Sequence, residues 1–169
     1  MRAFPLLVGI LLLVQGCTYA VSPAVRRAAD KSATFQKLQA DPAAFEGKVL
    51  ILGGTIAEIS GAKQGTVIEV IQRDLDYWGK PERTEKTAGR FYIIHPKQLD
   101  PMVYAPGRAI TVAGEVQKSG SEAIGSRRDD YPVLLPKELK LWERERPSSW
   151  EKPRWIDPLY EQDSPARRD

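Results

Sequence analysis

The sequence predicts a mainly β fold, a small five-stranded antiparallel barrel with short helices. Three observations predict it. Segments of alternating apolar and polar residues recur after residue 48, short turn-rich links join several of them, and a glycine pair interrupts the first segment. The chain has 169 residues, of which 42% are hydrophobic, and this is enough for one ordinary domain with a core and some extensions. We expect the β domain to span residues 32–146.

The N-terminus has the composition of a secretory signal peptide. Arg2 precedes an apolar stretch over residues 3–14, about half the length needed to cross the hydrocarbon core of a bilayer. Cys17 follows the small residue Gly16 and is the only cysteine in the sequence, so it cannot form a disulfide within the chain. We therefore expect residues 1–16 to be a signal peptide, and a resemblance to the bacterial lipobox implies its cleavage between Gly16 and Cys17.

The residues Val-Gln-Gly-Cys at positions 14–17 resemble the bacterial lipobox. The resemblance implies that Cys17 carries a diacylglycerol on its thiol and, after cleavage, an acyl chain on its new amino group. Several acyl chains on one residue anchor a protein durably, because each buried methylene contributes ~0.8 kcal/mol and a single chain binds only marginally. The alternatives are a plain signal peptide and a cytosolic protein with a buried thiol. No other cofactor is expected.

Two short segments precede the predicted strands. Residues 17–31 are small, polar and lightly charged, which is typical of a tether without a regular fold. Ser32 can cap a short helix whose apolar face holds Phe35 and Leu38, and a second turn ends with Phe45. We expect these three apolar side chains to close one side of the domain.

Five strands are predicted from residue 48 onward by their content of β-branched residues. They cover residues 49–59, 65–75, 90–95, 108–118 and 131–142. In the fourth strand Ile110, Val112 and Val116 alternate with polar or small residues, so one face is expected to be buried and the other to face solvent. The pair Gly53-Gly54 in the first strand indicates a bulge or a sharp bend.

The links between these segments suit an OB-like barrel. Residues 60–65 predict a short hairpin, and residues 76–89 predict a longer charged loop. The apolar residues within 96–106 predict a short helix between the third and fourth strands, which is the element order of an OB-like barrel. The tail, residues 147–169, is rich in proline and charge and is expected to be extended or disordered.

Several motifs occur in an order and spacing that together resemble one known family. They include Phe45-Glu46-Gly47-Lys48-Val49, Gly65-Thr66, Ile68-Glu69-Val70, Gly107-Arg108, Ile110-Thr111-Val112, Tyr131-Pro132-Val133 and Leu141-Trp142. Over residues 17–142, with the tail outside, the chain is similar to the Slp family of starvation-inducible outer-membrane lipoproteins. The resemblance implies a place in the Gram-negative envelope and supplies no catalytic residues.

The position after the cysteine implies the destination. In lipoproteins of this type an aspartate directly after the cysteine favours retention in the inner membrane, so Thr18 implies the outer membrane. The domain is expected to face the periplasm. The expected partners are outer-membrane lipid through Cys17, the lipoprotein-processing and sorting machinery, and peptidoglycan or envelope proteins. In an exported chain with a formal charge of only +3, the basic residues favour contact with anionic lipid head groups or no specific contact, and no nucleic acid partner is expected.

The residues for common catalytic and metal sites are scarce. His95 is the only histidine, and Cys17 is assigned to lipid, so no nucleophilic triad, zinc site or other metal site is predicted. The loop acids that could bind a hard cation are Asp74, Asp76, Glu82 and Glu85, for which a solvated loop is the ordinary interpretation. A carboxylate hydrolase remains a third hypothesis, because sequence cannot place two acids across a cleft.

The sequence offers one candidate binding site, at the aromatic pair Tyr77 and Trp78 in a loop before Gly79. Aromatic side chains on OB-like barrels bind oligosaccharides and oligonucleotides. The further aromatic candidates, for which core packing is the ordinary interpretation, are Phe91, Tyr92 and Tyr131. Two main hypotheses follow. The first is a non-catalytic envelope lipoprotein acting in envelope integrity or stress tolerance, and the second is a binding module for peptidoglycan, lipopolysaccharide or a partner protein.

Overall fold

A computed structural model describes residues 19–62, 65–117 and 131–144 of the chain. Within these residues five strands close into a barrel in the order β1-β2-β3-β5-β4, with β4 pairing back to β1. The strands are β1 (Val49–Ala62), β2 (Gly65–Arg73), β3 (Arg90–His95), β4 (Ala109–Gln117) and β5 (Val133–Leu141). All neighbours are antiparallel except β3 and β5. The predicted mainly β, OB-like barrel is confirmed.

The predicted strands match the observed ones, with ends that differ by at most three residues. The hairpin between β1 and β2 is confirmed by the pairing of Ala62 with Gly65. The tail, residues 147–169, and the lipobox with Gly16 and Cys17 lie outside the described residues, so those expectations remain predictions.

At its glycine pair, strand β1 lies close to the backbones of both neighbouring strands. Gly53 and Gly54 have partners in both β2 and β4, and a Cβ atom on Gly54 would lie 1.9 Å from the carbonyl oxygen of Ile71. No side chain fits at this close approach of two backbones. A register shift follows between Ile56 and Glu58. Of the two features predicted from the glycine pair, a bulge or a sharp bend, the structure shows an irregularity of the bulge type a few residues later.

The barrel interior is apolar and continuous with the short helices that precede it. Its buried members from the strands include Ile56, Ile68, Val70, Phe91, Ile93, Ile110, Val112 and Leu134. Phe35 and Leu38 from an α-helix, and Phe45 from a 3-10 helix, join the same core, as predicted. The cap of that α-helix is Thr34, whose Oγ1 accepts the Lys37 N–H, and the assignment of this role to Ser32 was wrong.

Between residue 19 and the barrel the structure has three short helices. They are α1 (Pro23–Ala28), α2 (Phe35–Ala40) and the 3-10 helix η1 (Pro42–Phe45). In the described parts of the chain no helix is long and apolar enough to cross a membrane.

The helix predicted for residues 96–106 does not form. The Asp100 carbonyl accepts the N–H groups of Val103 and Tyr104, which closes a single turn, and the chain then reaches Pro106 and Gly107, which favour termination. Leu99 and Tyr104 still pack against the core. This apolar segment therefore covers the barrel as a turn and not as a helix.

The outer face of β4 is also different from the expectation. Thr111 and Ala113, predicted to face solvent, are fully buried. The Thr111 hydroxyl donates to the Gly79 carbonyl at 2.7 Å and accepts from the Trp142 indole N–H at 2.9 Å. The loop after β2 and the residue after β5 therefore cover this face.

Candidate functional site

Four side chains, two exposed and two half-buried, form a cluster beside the covered face of β4. We call Tyr19, Arg26, Tyr77 and Trp78 the aromatic patch. The ring centroids of Tyr77 and Trp78 are 5.1 Å apart, edge to face, and the Tyr19 ring lies 5.5 Å from Tyr77 and 5.4 Å from Trp78. Tyr77 is 76% exposed and Trp78 is 44% exposed. The predicted aromatic pair is thus joined by a third ring from the N-terminal segment.

The loop that carries the aromatic pair is shaped by Asp76. Its Oδ1 accepts the N–H groups of Trp78 and Lys80, both at 2.8 Å, and its carbonyl accepts the Gly79 N–H. Gly79 has a φ of 80°, in the left-handed region that glycine enters at little cost. An isolated bridge between Leu75 and Pro81 closes the loop. Asp76, considered above as a cation ligand, therefore shapes this turn.

The N-terminal segment is attached to the barrel. The Ala20 N–H donates to the Trp78 carbonyl at 3.0 Å. The Glu138 carboxylate on β5 accepts the Ser22 N–H at 2.6 Å and the Ser22 hydroxyl at 2.5 Å. Ser22 also caps α1, which begins with Pro23. The prediction that this segment has no regular fold is therefore wrong for its described part, residues 19–31.

The patch carries positive charge next to its rings. The Arg26 guanidinium carbon lies 3.8 Å from the Tyr19 ring centroid, within the range of a cation–π contact. A hydrogen bond with the Tyr77 side chain raises the pKa of the Tyr19 phenol above its ordinary value, so Tyr19 is neutral at neutral pH. Lys80 and Lys140 lie 5.8 and 5.6 Å from the neighbouring Trp142 ring.

The other aromatic candidates belong to the barrel. Phe91 is in the interior core, and Tyr92 is buried on the opposite face of β3 with Val67 and Val133. The half-buried Tyr131 ring lies 5.7 Å from that of Tyr92. The ordinary interpretation of these three residues, packing, is confirmed.

The remaining chemical candidates make local contacts. The His95 Nδ1 lies 3.2 Å from both the N–H nitrogen and the carbonyl oxygen of Lys97. Asp74 accepts from the Gln72 side-chain amide, and Glu82 lines a cavity described next. Within residues 19–62, 65–117 and 131–144, no group of three or more histidine, cysteine or acidic side chains is placed to hold a metal ion.

A cavity of about 450 Å³ lies between the β2–β3 loop and the segments that flank β4 and β5. Its charged lining residues are Arg73, Lys80, Glu82, Arg83, Glu85, Arg108, Glu143 and Arg144. Arg73 donates to the carbonyls of Glu85 and Lys86, and Arg108 donates to those of Val103 and Trp142. These two guanidinium groups therefore connect loops around the cavity.

Comparison with protein families agrees with the motifs described above. The model of the outer membrane lipoprotein Slp family matches residues 14–167. The chain belongs to this family. The match includes most of the tail, so the exclusion of the tail from the family region was wrong. Membership of the Slp family places the protein among outer-membrane lipoproteins.

Comparisons with individual proteins add little. A comparison of this Slp-family sequence with curated proteins finds no match. Among solved structures, a protein assigned as an aspartyl-tRNA synthetase from Leishmania major Friedlin is similar, with 14% identity and a TM-score of 0.39. The similarity covers 82% of this chain and 26% of that chain. The Slp-family chain thus spans about a quarter of that protein's length.

Sequence interpretation missed half of the patch. Tyr19 and Arg26 fall in the region assigned to an unstructured tether, yet the pair Ser22-Pro23 has the pattern of a helix start. That pattern indicated α1. The contact of α1 with Glu138 could not be inferred, because 116 positions separate Ser22 from Glu138.

Proposed function

We propose that this Slp-family protein is a non-catalytic lipoprotein of the outer membrane, anchored by acyl chains on Cys17. Its OB-like barrel then lies at the periplasmic face and contributes to envelope integrity or stress tolerance. Family membership accounts for the outer-membrane lipoprotein class, and the lipid on Cys17, the periplasmic face and the role in the envelope are proposed in addition.

The observation that carries the proposal is the extent of the family match. It begins at residue 14, so it includes the lipobox-like residues and the single cysteine as well as the barrel. The covalent group that Cys17 would hold is a diacylglycerol on the thiol and an acyl chain on the amino group. The processing and sorting machinery for lipoproteins would be its first partners.

The local contacts of the polar residues support a role without catalysis. Asp76 shapes a loop, and His95 contacts backbone atoms of Lys97. The carboxylate of Glu138 binds Ser22. These side chains thus have structural partners in the fold, and the proposal assigns them no reaction.

The experiment is metabolic labelling with an acyl-chain probe in a Gram-negative host, followed by membrane fractionation and intact-mass measurement. The parent is compared with Cys17→Ala and with Thr18→Ala as the matched neighbouring control. We expect the parent and Thr18→Ala to carry lipid in the outer-membrane fraction. Cys17→Ala should carry no label and retain its signal sequence.

A further variant separates anchoring from sorting. Thr18→Asp should keep the acyl label but shift to the inner-membrane fraction, because aspartate at that position favours retention. An unlabelled parent would refute the anchor. A labelled parent in the inner membrane would retain the anchor and refute the outer-membrane location.

A further inference from the structure

The aromatic patch holds three rings that contact one another, of which Tyr77 and Trp78 are exposed and Tyr19 is half-buried. Aromatic side chains have large apolar areas whose removal from water is favourable. Exposed rings that form a cluster are therefore suited to bind a surface that covers them. Tyr77 and Trp78 each combine an apolar ring with a polar tip. Tyrosine and tryptophan of this kind are enriched at membrane–water interfaces, where one end is apolar and the other hydrated.

The patch is rigid enough to present a defined surface. Thr111 donates to the Gly79 carbonyl, and Ala20 donates to the Trp78 carbonyl. The bonds from Ser22 to Glu138 hold the preceding segment on β5. These bonds hold the two backbone segments that carry the rings against the barrel.

The patch lies next to the proposed lipid anchor. Tyr19 is the second residue after Cys17, and two residues of extended chain span at most about 7 Å. An acylated Cys17 therefore brings the bilayer surface to the patch. This step rests on the proposed function.

The charge around the patch suits anionic head groups. Arg26 stacks on Tyr19, and the adjacent Arg27 is exposed. The neighbouring acids, Asp76 and Glu138, accept hydrogen bonds from the loop amides and from Ser22. Basic residues close to an anionic membrane surface are attracted to it.

We propose that Tyr19, Arg26, Tyr77 and Trp78 enter the head-group layer of the phospholipid leaflet that holds the acylated Cys17. The protein is then seated on the bilayer through this face, with a defined tilt. No flexible tether then separates the barrel from the bilayer.

The test uses the acylated full-length protein in vesicles of phosphatidylethanolamine and phosphatidylglycerol. Lipids that carry a quencher in the head-group region report tryptophans at that depth. The parent is compared with Trp78→Phe, which keeps a ring but removes the fluorophore. We expect the head-group quencher to reduce the tryptophan fluorescence of the parent. Trp78→Phe should lose the part of this quenching that comes from Trp78.

Two variants show whether the other rings of the patch determine the depth of Trp78 in the bilayer. The double variant Tyr19→Ala/Tyr77→Ala retains Trp78, and we expect its quenching to fall. Met102→Ala removes another highly exposed apolar side chain, from the β3–β4 connection, and should leave the quenching unchanged. Circular dichroism and the thermal midpoint verify that each variant is folded.

The outcomes separate this inference from the proposed function. Mass measurement and vesicle flotation first establish whether the parent is acylated and anchored. If it is anchored but Trp78 is not quenched, the seating surface is refuted and the lipid anchor stands. If it is not acylated, the proposed function fails and the inference fails with it. Retention on sacculi that requires Tyr77 and Trp78, without quenching in vesicles, would replace the lipid surface with a glycan.

Discussion

The barrel interior and the aromatic patch use aromatic residues in opposite ways. Phe91 is completely buried and lies 6.1 Å from Phe35, whereas Tyr77 is mostly exposed. In the interior, apolar contact stabilises the fold. At the patch, hydrogen bonds made by Asp76 and Glu138 hold the backbone segments that carry the rings. Substitutions in the interior should therefore lower the stability of the fold, whereas substitutions at the patch should leave it nearly unchanged.

The largest effect is expected for Phe91→Ala in the interior. Removing this ring should lower the free energy of unfolding by about 3–5 kcal/mol, the range for large-to-small changes in a core. The matched change at the patch, Tyr77→Ala, should alter it by no more than about 0.5 kcal/mol, because the side chain is mostly exposed. Urea unfolding of both variants measures the difference. Equal losses would contradict the distinction between the two regions.

A glycine substitution tests the close approach of β1 to β2 at Gly54. Gly54→Ala introduces a Cβ against the backbone of Ile71, and this overpacking should lower the free energy of unfolding by about 1–3 kcal/mol. Gly61→Ala is the control in the same strand, because the nearest atom to its Cβ is the end of the Gln98 side chain at 3.9 Å. Thermal unfolding compares the two. If Gly61→Ala is the more destabilising, the close approach at Gly54 does not constrain the fold.

The sequence predicted the barrel well because strands are encoded locally. Alternation along β4 and the glycine pair in β1 are visible within a few residues. The burial of Thr111 was not predictable, because it depends on Gly79 and Trp142, which are about 30 positions away on opposite sides. The turn at Asp100 resembled a helix because its apolar residues contact the core in either conformation.

The candidate site was predicted in part for the same reason. Tyr77 and Trp78 stand next to turn-forming residues, and their exposure followed from that local pattern. Tyr19 joins them only because Ser22 binds Glu138 and Ala20 binds Trp78. Composition indicates a mobile segment there, whereas long-range hydrogen bonds order it.

The contact between Ser22 and Glu138 can be weakened without damage to the core. Glu138→Gln keeps the shape but removes the charge, and hydrogen bonds to a charged group exceed neutral ones by about 1 kcal/mol. We expect amide hydrogen exchange at Ala20 and Ser22 to become about fivefold faster. Glu115→Gln is the control on β4, where it loses only a partly exposed ion pair with Lys137. Equal exchange in both variants would show that Glu138 does not hold the segment.

The smallest effect concerns the other end of the same segment. Asp30 Oδ1 accepts the hydroxyl and the N–H of Ser32 at 2.6 and 2.9 Å, and Lys48 lies 3.5 Å from Oδ2. The bonds from Ser32 in the first place, and then the charge of Lys48, hold the pKa of Asp30 below its ordinary value.

A depressed carboxyl pKa gives a defined pH dependence. The stabilisation from Asp30 is present above the unfolded-state pKa of about 3.9 and is lost as pH falls through the lower folded-state value. Stability curves of the parent and Asp30→Asn should therefore converge as the pH falls below the folded-state pKa of Asp30. Since Ser32 is the main cause, Ser32→Ala should weaken this dependence more than Lys48→Gln. If Lys48→Gln weakened the dependence more than Ser32→Ala, the charge of Lys48 and not the hydrogen bonds from Ser32 would be the main cause of the lowered pKa of Asp30.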